Sequence, residues 1–573
     1  MADLDRPSPV ERIKCESDYL RGHIEQELTN GSECFQDDTV QLLKHHGMYQ
    51  QDDRDQTRAK GPDGQRPGKV CCLMVRVKIP GGKLTTDQLA ALLDLCDYCG
   101  NGTLRITNRQ DLQLHGVLKR NARQTIRQIN QLQLTTLGAC GDVARNVMCC
   151  PAPYCRDGIH RELQDTADRL SAQLLPRSRA YHDIWLADSG IRPEQLSADT
   201  AGGDQIEPIY GNAYLPRKFK AAIALASDNC TDLYTNDLGL VAICRNGRVA
   251  GYNVLVGGSL GMTPGDKRTF PALAQPMAFI RPDEVLDVAT AIVRLYRDFG
   301  NRCDRKRARL KYLIADWGLA RFKAEVERYY GRALAEADPE AVCGVDDHLG
   351  WHEQGDGLWF YGLKVLSGRI ADRGELRLKS ALRQICRTIR PGIRLTPQQN
   401  LLLTDLKAED RQRLQETLCS HGVKLLEEIT QVHRCSMACV ALPTCPMAVT
   451  ESERVLPALL ERLEVELARL GLSGERFTLR MTGCPNGCGR PYNAEVGLVG
   501  RTAGKYAVYL GGSRLGNRLA FVYQSLVPLD GVVPALLPVL RAFKEHRQGS
   551  ETLGDFCHRL GAEALRSLNQ GSV

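Results

Sequence analysis

No stretch of this 573-residue chain approaches the roughly 18 to 20 continuous apolar residues that a membrane-crossing helix needs, so no spanning segment is expected. The first residues, MADLDRPSPVERIK, are charged and lack the apolar core of a secretory signal, which points to the cytoplasm. Aromatic residues make up only 6% and the net charge is a mild +7. Nucleic-acid binding calls for a clustered basic face with aromatic platforms, so that class of function is disfavoured. Dinucleotide chemistry lacks its motif too. GlyGlySerLeuGly (257–261) does not have GxGxxG spacing, and no flavin or nicotinamide fingerprint stands elsewhere. Cysteine is not scarce, at 22 residues, yet that is below one in twenty, whereas disulfide scaffolds are small, dense and secreted. A reducing compartment follows, with Cys71, Cys72, Cys140, Cys149, Cys150, Cys155 and Cys435 expected as free thiols.

Four cysteines are patterned differently. Cys439 and Cys445 form Cys-x5-Cys, and Cys484 and Cys488 form Cys-x3-Cys inside TGCPNGCGR (482–490). Four thiolates suit one iron–sulfur cluster. Zinc is permitted, although structural zinc pairs usually stand two to four residues apart. The TGCPNGCGR segment closely resembles the cluster segment of the sulfite and nitrite reductase hemoproteins. That resemblance implies a sirohaem coupled to one 4Fe-4S cluster, ligated by Cys439, Cys445, Cys484 and Cys488, with Cys488 also axial to the sirohaem iron. Cys435, four residues before Cys439, is a possible competing ligand where the family usually has another residue.

The chain repeats itself. GlyThrLeuArgIleThrAsnArgGlnAspLeuGlnLeu (102–114) echoes ProGlyIleArgLeuThrProGlnGlnAsnLeuLeuLeu (391–403). Met148 stands 43 residues after Arg105, as Met437 does after Arg394, and a cysteine follows each methionine at the second position. Each copy opens on an alternating strand (73–79 in the first), a Gly turn, a helix (84–95) and a second strand, the start of a split βαβ unit. An α/β part follows, with helices expected near 159–174, 283–299 and 452–470 and strands near 218–225, 239–243, 476–482 and 504–510. The class is therefore α+β with internal duplication. The resemblance implies a pseudo-twofold arrangement: ferredoxin-like halves at 69–137 and 346–423 joined into a central domain, and cofactor-binding α/β domains at 138–345 and 424–573. Residues 1–68 read as a polar, partner-binding arm, partly disordered, ending in a Gly/Pro segment at 60–69. Within it, HisGlyMetTyrGlnGlnAspAspArgAsp (46–55) is a solvated loop on charge pattern, but resembles the arm of NADPH-dependent sulfite reductase hemoproteins.

A dianion such as sulfite needs fixed cations in a cavity screened from water. Arg76, Arg145, Lys218 and Lys220 match the family's sulfite-binding positions; taken singly, each reads more readily as a solvent-facing strand residue, and their joint occurrence with the cysteine motif reverses that. Family nitrite reductases typically carry Asn where Lys220 stands, so this position implies sulfite. The segment 104–116 resembles the family's tetrapyrrole-binding strand, and alternation puts Arg105, Arg109, Gln113 and His115 on one side as cofactor contacts. His115 is not expected as the axial ligand, because the family uses the last cluster cysteine. Asn486 is a further contact by resemblance, and Gly141 stands where the family has an asparagine near the macrocycle. The basic run 301–311, read as a helix, would set Arg302, Arg305 or Lys306, and Arg309 on one face. That face is either solvated, a nucleic-acid patch, or, by resemblance, an anchor for sirohaem carboxylates.

Taken together, the resemblance implies six-electron reduction of sulfite to sulfide by the hemoprotein component of an assimilatory sulfite reductase, with electrons from an FAD/FMN flavoprotein partner. A ferredoxin-dependent sulfite or nitrite reductase is the nearest alternative. A simple iron–sulfur carrier, or a zinc- or cluster-bearing nucleic-acid binder using the 301–311 run, is a remote one.

Overall fold

Duplication of the sequence produces duplication of two sheet types. The computed structural model describes residues 6–58, 68, 70–187 and 207–568. The first ferredoxin-like half supplies β1 (Met48–Asp52), β2 (Cys71–Val77), β3 (Lys83–Leu84), β4 (Leu104–Ile106) and β5 (Leu112–Val117). The α/β unit that follows supplies β6 (Ala144–Met148), β7 (Phe219–Leu225), β8 (Leu238–Arg245), β9 (Arg248–Val256) and β10 (Gln275–Ile280). In the second copy come β11 (Gly350–Glu353), β12 (Trp359–Leu363), β13 (Arg369–Ile370), a small hairpin of β14 (Asp372–Arg373) and β15 (Leu376–Arg377), β16 (Gly392–Leu395) and β17 (Leu401–Leu406). Then follow β18 (Ser436–Ala438), β19 (Leu479–Thr482), β20 (Val496–Thr502), β21 (Lys505–Leu510) and β22 (Phe521–Pro528).

The two ferredoxin-like sheets run β1-β2-β5-β4-β13 and β11-β12-β17-β16-β3, antiparallel throughout. Each is completed by a two-residue strand from the other half: Arg369 pairs with Arg105, and Lys83 with Arg394. This exchange makes one central body of the two halves. The helix Thr86–Cys99, opened by a Thr85/Gln88 capping box, meets its counterpart Leu378–Thr388 across the pseudo-twofold, with Arg383 on Asp94 (3.1 Å) and Lys379 on Asp97 (2.6 Å).

The α/β sheets share a second topology, β10-β9-β8-β7-β6 and β22-β21-β20-β19-β18, with three parallel strands followed by two antiparallel ones. Apolar runs such as 219–225 and 238–243 are covered on both faces, which is what parallel strands require. Helices Ile159–Gln173, Val285–Phe299 and Leu456–Arg469 lie where periodicity places them.

Three expectations are corrected. The N-terminal region is largely ordered from residue 6 to 58: helices Pro9–Cys15, Ile24–Leu28 and Asp37–Leu43 precede β1, the edge strand of the first sheet and the counterpart of β11. The polar 46–55 segment therefore belongs to the first half, because its backbone completes a sheet. Of the 60–69 segment, only Gly68 is among the described residues. Cys71 is not a free thiol but is bonded to Cys34, tying this region to β2; Cys72, Cys140, Cys149, Cys150, Cys155 and Cys435 are free. Finally, 301–311 is not a helix. It is a loop with one short turn at Arg305–Arg307, Asp304 capping Lys306 N–H, and helix begins only at Leu310.

Candidate functional site

Parallel pairing of β18 with β19 brings Cys439 and the 483–488 segment out of the sheet side by side. Cys439 Sγ accepts from Gly483 N–H (3.3 Å) and the Thr482 hydroxyl (3.4 Å), and its own N–H donates to Met481 O (3.1 Å). Gly483 has no room for a side chain: a Cβ would stand 2.5 Å from the Ala441 methyl and 2.6 Å from Thr450 O. Cys445 arrives on the adjoining loop. Burial, then the charge of Cys488, raises the Cys445 thiol to about 11 and moves Cys484 and Cys439 the same way. Cys439, Cys445 and Cys484 are all raised by the charge of Cys488, so the four sulfurs lie close enough to act on one another, and an iron cluster bound to them would relieve that repulsion. Cys435 stays apart, accepting from Arg476 Nε at 3.4 Å, with Lys364 and Arg434 as its charged neighbours.

The loop carrying Cys445 is held by the N-terminal region. Arg54, two residues past β1, donates from Nε to Pro443 O (3.0 Å), from Nη1 to Ala448 O (3.0 Å), and from Nη2 to Cys445 O. Arg454 pairs with Asp55 beside it.

Cys488 is the exposed member of the four, and it lines a cavity of about 830 Å³ counted to its open mouth. Arg109, Arg217, Lys218, Lys220, Arg305, Lys306, Arg309 and Arg490 wall that cavity, and no carboxylate joins them in the lining. Acids sit behind the wall: Asp237 on Arg309 (2.7 Å), Asp142 on Arg305 (2.8 Å) and Asp232 on Arg490 (3.2 Å). The arginines still have capacity to spare, since the buried Nε of Arg109, Arg309 and Arg490 has no hydrogen-bond partner among the described residues. A macrocycle with eight carboxylates fits this donor set.

Lys218 and Lys220 make no side-chain hydrogen bond or ion pair among the described residues. Burial, then Arg217 and Arg309, pushes the Lys218 ammonium down to about 7; burial, then Lys218 and Arg109, drives Lys220 well below its ordinary value. Such groups give up protons near neutrality and regain charge when an anion enters. Arg76 and Arg145 are not among the residues that line the cavity. Arg145 donates to Gly141 O (2.9 Å) and to Ala139 O (3.1 Å), and Arg76 reaches the same Ala139 carbonyl at 3.4 Å.

The segment 104–116 is a hairpin, not one strand, so its odd residues part company. Arg105 and Gln113 are cross-strand partners, while Arg109 stands in the turn and donates to Asn236 Oδ1 (2.6 Å) and Asn146 O (2.6 Å) at the cavity wall. Arg105 faces the cluster side, bonded to Ala438 O (2.8 Å) and paired with Glu453 (2.9 Å). Gln113 contacts Met74 Sδ (3.5 Å), and buried His115 keeps an unpartnered Nε2; neither lines the cavity. Of the basic loop, Arg305, Lys306 and Arg309 face the cavity with Asn486, whereas Arg302 turns away to Glu11. Sequence reading missed Asn108, Met148, Arg217 and Arg490 in the lining; Arg217 adjoins Lys218, and Arg490 stands two residues past Cys488 at the end of the 482–490 motif. Gly141 has a local explanation. At φ +85° a Cβ would strike the His45 ring at 2.6 Å, and that ring accepts Asp142 N–H at 3.0 Å.

Fold and site together define a redox protein that sets an iron–sulfur cluster against an anionic macrocycle in a cationic pocket. The chain matches the nitrite and sulphite reductase 4Fe-4S domain over 140–334 and 430–570, and the nitrite/sulfite reductase ferredoxin-like half domain over 64–132 and 352–421. It belongs to the nitrite and sulfite reductase family. Among relatives, a ferredoxin sulfite reductase of Synechococcus elongatus is 43% identical over 98% of this chain and 91% of its own. The NADPH sulfite reductase hemoprotein beta-components of Bacillus licheniformis and Geobacillus kaustophilus are 41% and 42% identical, over 97% of this chain and 96% of theirs. The solved structure of Mycobacterium tuberculosis NirA superposes with a TM-score of 0.78 at 24% identity, covering 98% of both chains, which establishes the common fold.

Proposed function

We propose that sulfite is bound and reduced in the cavity above Cys488. The chain is a sulfite-reducing oxidoreductase that uses sirohaem and one 4Fe-4S cluster. When bound, the coupled pair supplies electrons to the substrate, and the balance of the reaction is bisulfite plus six electrons and six protons giving hydrosulfide and three waters. The protein's part is to bind the anion, neutralise it and deliver protons. In this reading Cys439, Cys445, Cys484 and Cys488 hold the cluster, and Arg109, Arg305, Lys306, Arg309 and Asn486 hold the macrocycle edge. Lys218 and Lys220 face the substrate and hand over protons. Arg76 and Arg145 add positive potential from outside the lining, and Arg105 braces the cluster side, with Gln113 and His115 on the same hairpin behind it. The observation that carries the proposal is a wall of eight basic side chains with no carboxylate in the lining among the described residues, floored by Cys488, whose charge acts on the other three cluster thiols.

The donor in this reading is an FAD/FMN flavoprotein subunit fed by NADPH, supported by the names of the hemoprotein beta-components. A ferredoxin donor is a specific second reading, because the Synechococcus relative of similar identity is named for it. No helix among the described residues is long and apolar enough to cross a membrane. Sixteen cysteines that are neither cluster ligands nor in the one disulfide, Cys34–Cys71, support a cytoplasmic setting. The test uses anaerobically purified holoenzyme: sirohaem absorption, iron and acid-labile sulfide counts, then sulfide formation from sulfite with reduced flavoprotein or reduced ferredoxin as donor. Preparations with full cofactor content that make no sulfide with either donor would refute the proposal.

A further inference from the structure

A second constellation of metal-ligating side chains lies in the first α/β unit, away from the cofactor cavity. Cys150 follows β6, Asp228 and Cys230 lie on the loop between β7 and β8, and His348 lies in the linker before β11. One donor atom from each falls within 4.8 Å of all the others. Cys150 Sγ is 3.1 Å from Asp228 Oδ2 and 3.4 Å from His348 Nε2, and those two are 3.0 Å apart. All four residues are buried, between 0 and 8% exposed.

Two thiols, a carboxylate and an imidazole are a poor set to bury with no cation. Each ionised group must be desolvated, and His348, even with His160 interacting with Cys150 beside it, does not match three acidic groups in number. They are a good set for a tetrahedral metal. Bond lengths of about 2.3 Å to sulfur and 2.0 to 2.2 Å to nitrogen and oxygen put tetrahedral donors about 3.3 to 3.8 Å apart, close to the spacing found. The outer shell is also in place. Asp228 Oδ1 accepts from the N–H of Cys230 (3.1 Å) and of Asp346 (2.9 Å), which aims its other oxygen inward. His348 Nδ1, otherwise unpartnered, stands 3.8 Å from the Asp346 carboxylate, the position from which a carboxylate orients a metal-bound imidazole. His348 itself holds φ +55°, a left-handed backbone that a non-glycine residue adopts only where its surroundings fix it.

Internal symmetry adds an independent argument. Met148 and Cys150 correspond by the repeat to Met437 and Cys439, and β6-β7-β8 to β18-β19-β20. Cys230 leaves the sheet after β7 as Cys484 does after β19. Both copies thus direct cysteines from the ends of their first two parallel strands to one point. In the second copy that point takes the cluster.

We propose that Cys150, Asp228, Cys230 and His348 bind one divalent transition metal, zinc by its mixed sulfur, nitrogen and oxygen donors, as a closed structural site. It would pin the linker at 343–349 to the β7–β8 loop, where Cys343 N–H already meets Ala226 O (2.8 Å) and Asn229 N–H meets Gly344 O (2.9 Å). The same loop carries Asp232, which pairs with Arg480 (2.7 Å) and with Arg490 of the cavity wall (3.2 Å).

The test is elemental analysis of holoenzyme grown with trace zinc and dialysed against a chelator. About one zinc per chain is expected beside the iron of cluster and sirohaem. Zinc-edge X-ray absorption should show two sulfur neighbours near 2.3 Å and two nitrogen or oxygen neighbours near 2.0 Å. Cys230→Ser and His348→Gln should lose at least nine-tenths of the zinc while iron and acid-labile sulfide stay unchanged. If either variant fails to fold, the wild-type absorption edge decides alone. Less than about one-tenth zinc per chain, a stoichiometric extra iron in its place, or a four-sulfur zinc shell marking metal in the cluster cysteines would each overturn the site.

Discussion

Replacing Arg54 with alanine should make the cluster labile without unfolding the protein. The guanidinium spans three carbonyls of the loop that carries Cys445, and two of the bonds measure 3.0 Å. A hydrogen bond from a charged donor contributes about 1.5 to 3 kcal/mol net, but Arg54 is half-buried and water replaces part of that. About 2 to 4 kcal/mol for the three is a fair sum, and all of it bears on whether the 441–448 loop is closed. At 1.4 kcal/mol per tenfold, opening becomes about 30 to 700 times more frequent. The assay is anaerobic release of ferrous iron from holoenzyme to a chromophoric chelator, followed at a chelator concentration where loop opening limits the rate. Arg54→Ala should accelerate release by at least about 30-fold, and Arg54→Lys by an intermediate factor because one donor remains. The thermal midpoint should move little, since no apolar core is lost. Release within threefold of wild type in Arg54→Ala would refute the idea that this arginine latches the cysteine loop.

Glu453 is held down to about 2 against burial, by Arg369 and then Arg105, below its ordinary 4.5. A carboxylate with a depressed folded value stabilises above the unfolded value and loses that contribution as pH falls through the folded one, here between about 4.5 and about 2. The shift corresponds to about 3 kcal/mol. Glu453→Gln should therefore lower the urea midpoint at pH 7, with the gap to wild type narrowing only below pH 4.5; a gap independent of pH would count against the ion pairs. Gly141→Asn should cost about 2 kcal/mol because its Cβ would meet the His45 ring at 2.6 Å and the His45 Cα at 2.8 Å from a left-handed backbone at φ +85°, and His45→Ala in the same chain should recover only part of it; full recovery would mean that the ring alone sets the cost. Lys220→Asn should reduce sulfite turnover at least tenfold more than nitrite turnover, and equal losses on both would remove the selectivity argument.

The sequence by itself fixed what depends on local spacing. A repeated strand motif announced the duplication, and four cysteines in two pairs announced a cluster or a metal, because cysteine pairs and apolar period are properties of neighbouring residues; it took the family resemblance to choose the 4Fe-4S cluster and to read the basic run as an anchor for sirohaem. Tertiary structure decided which charges meet. Arg105 and Arg109 are four residues apart, yet a hairpin turn sends one to Glu453 and the other to the cavity. Arg54 reaches a cysteine loop almost 400 residues away, and the Cys150–His348 cluster joins three separated segments. Long-range pairings of this kind arise from how two copies of a sheet pack and exchange strands, and no period along the chain encodes them.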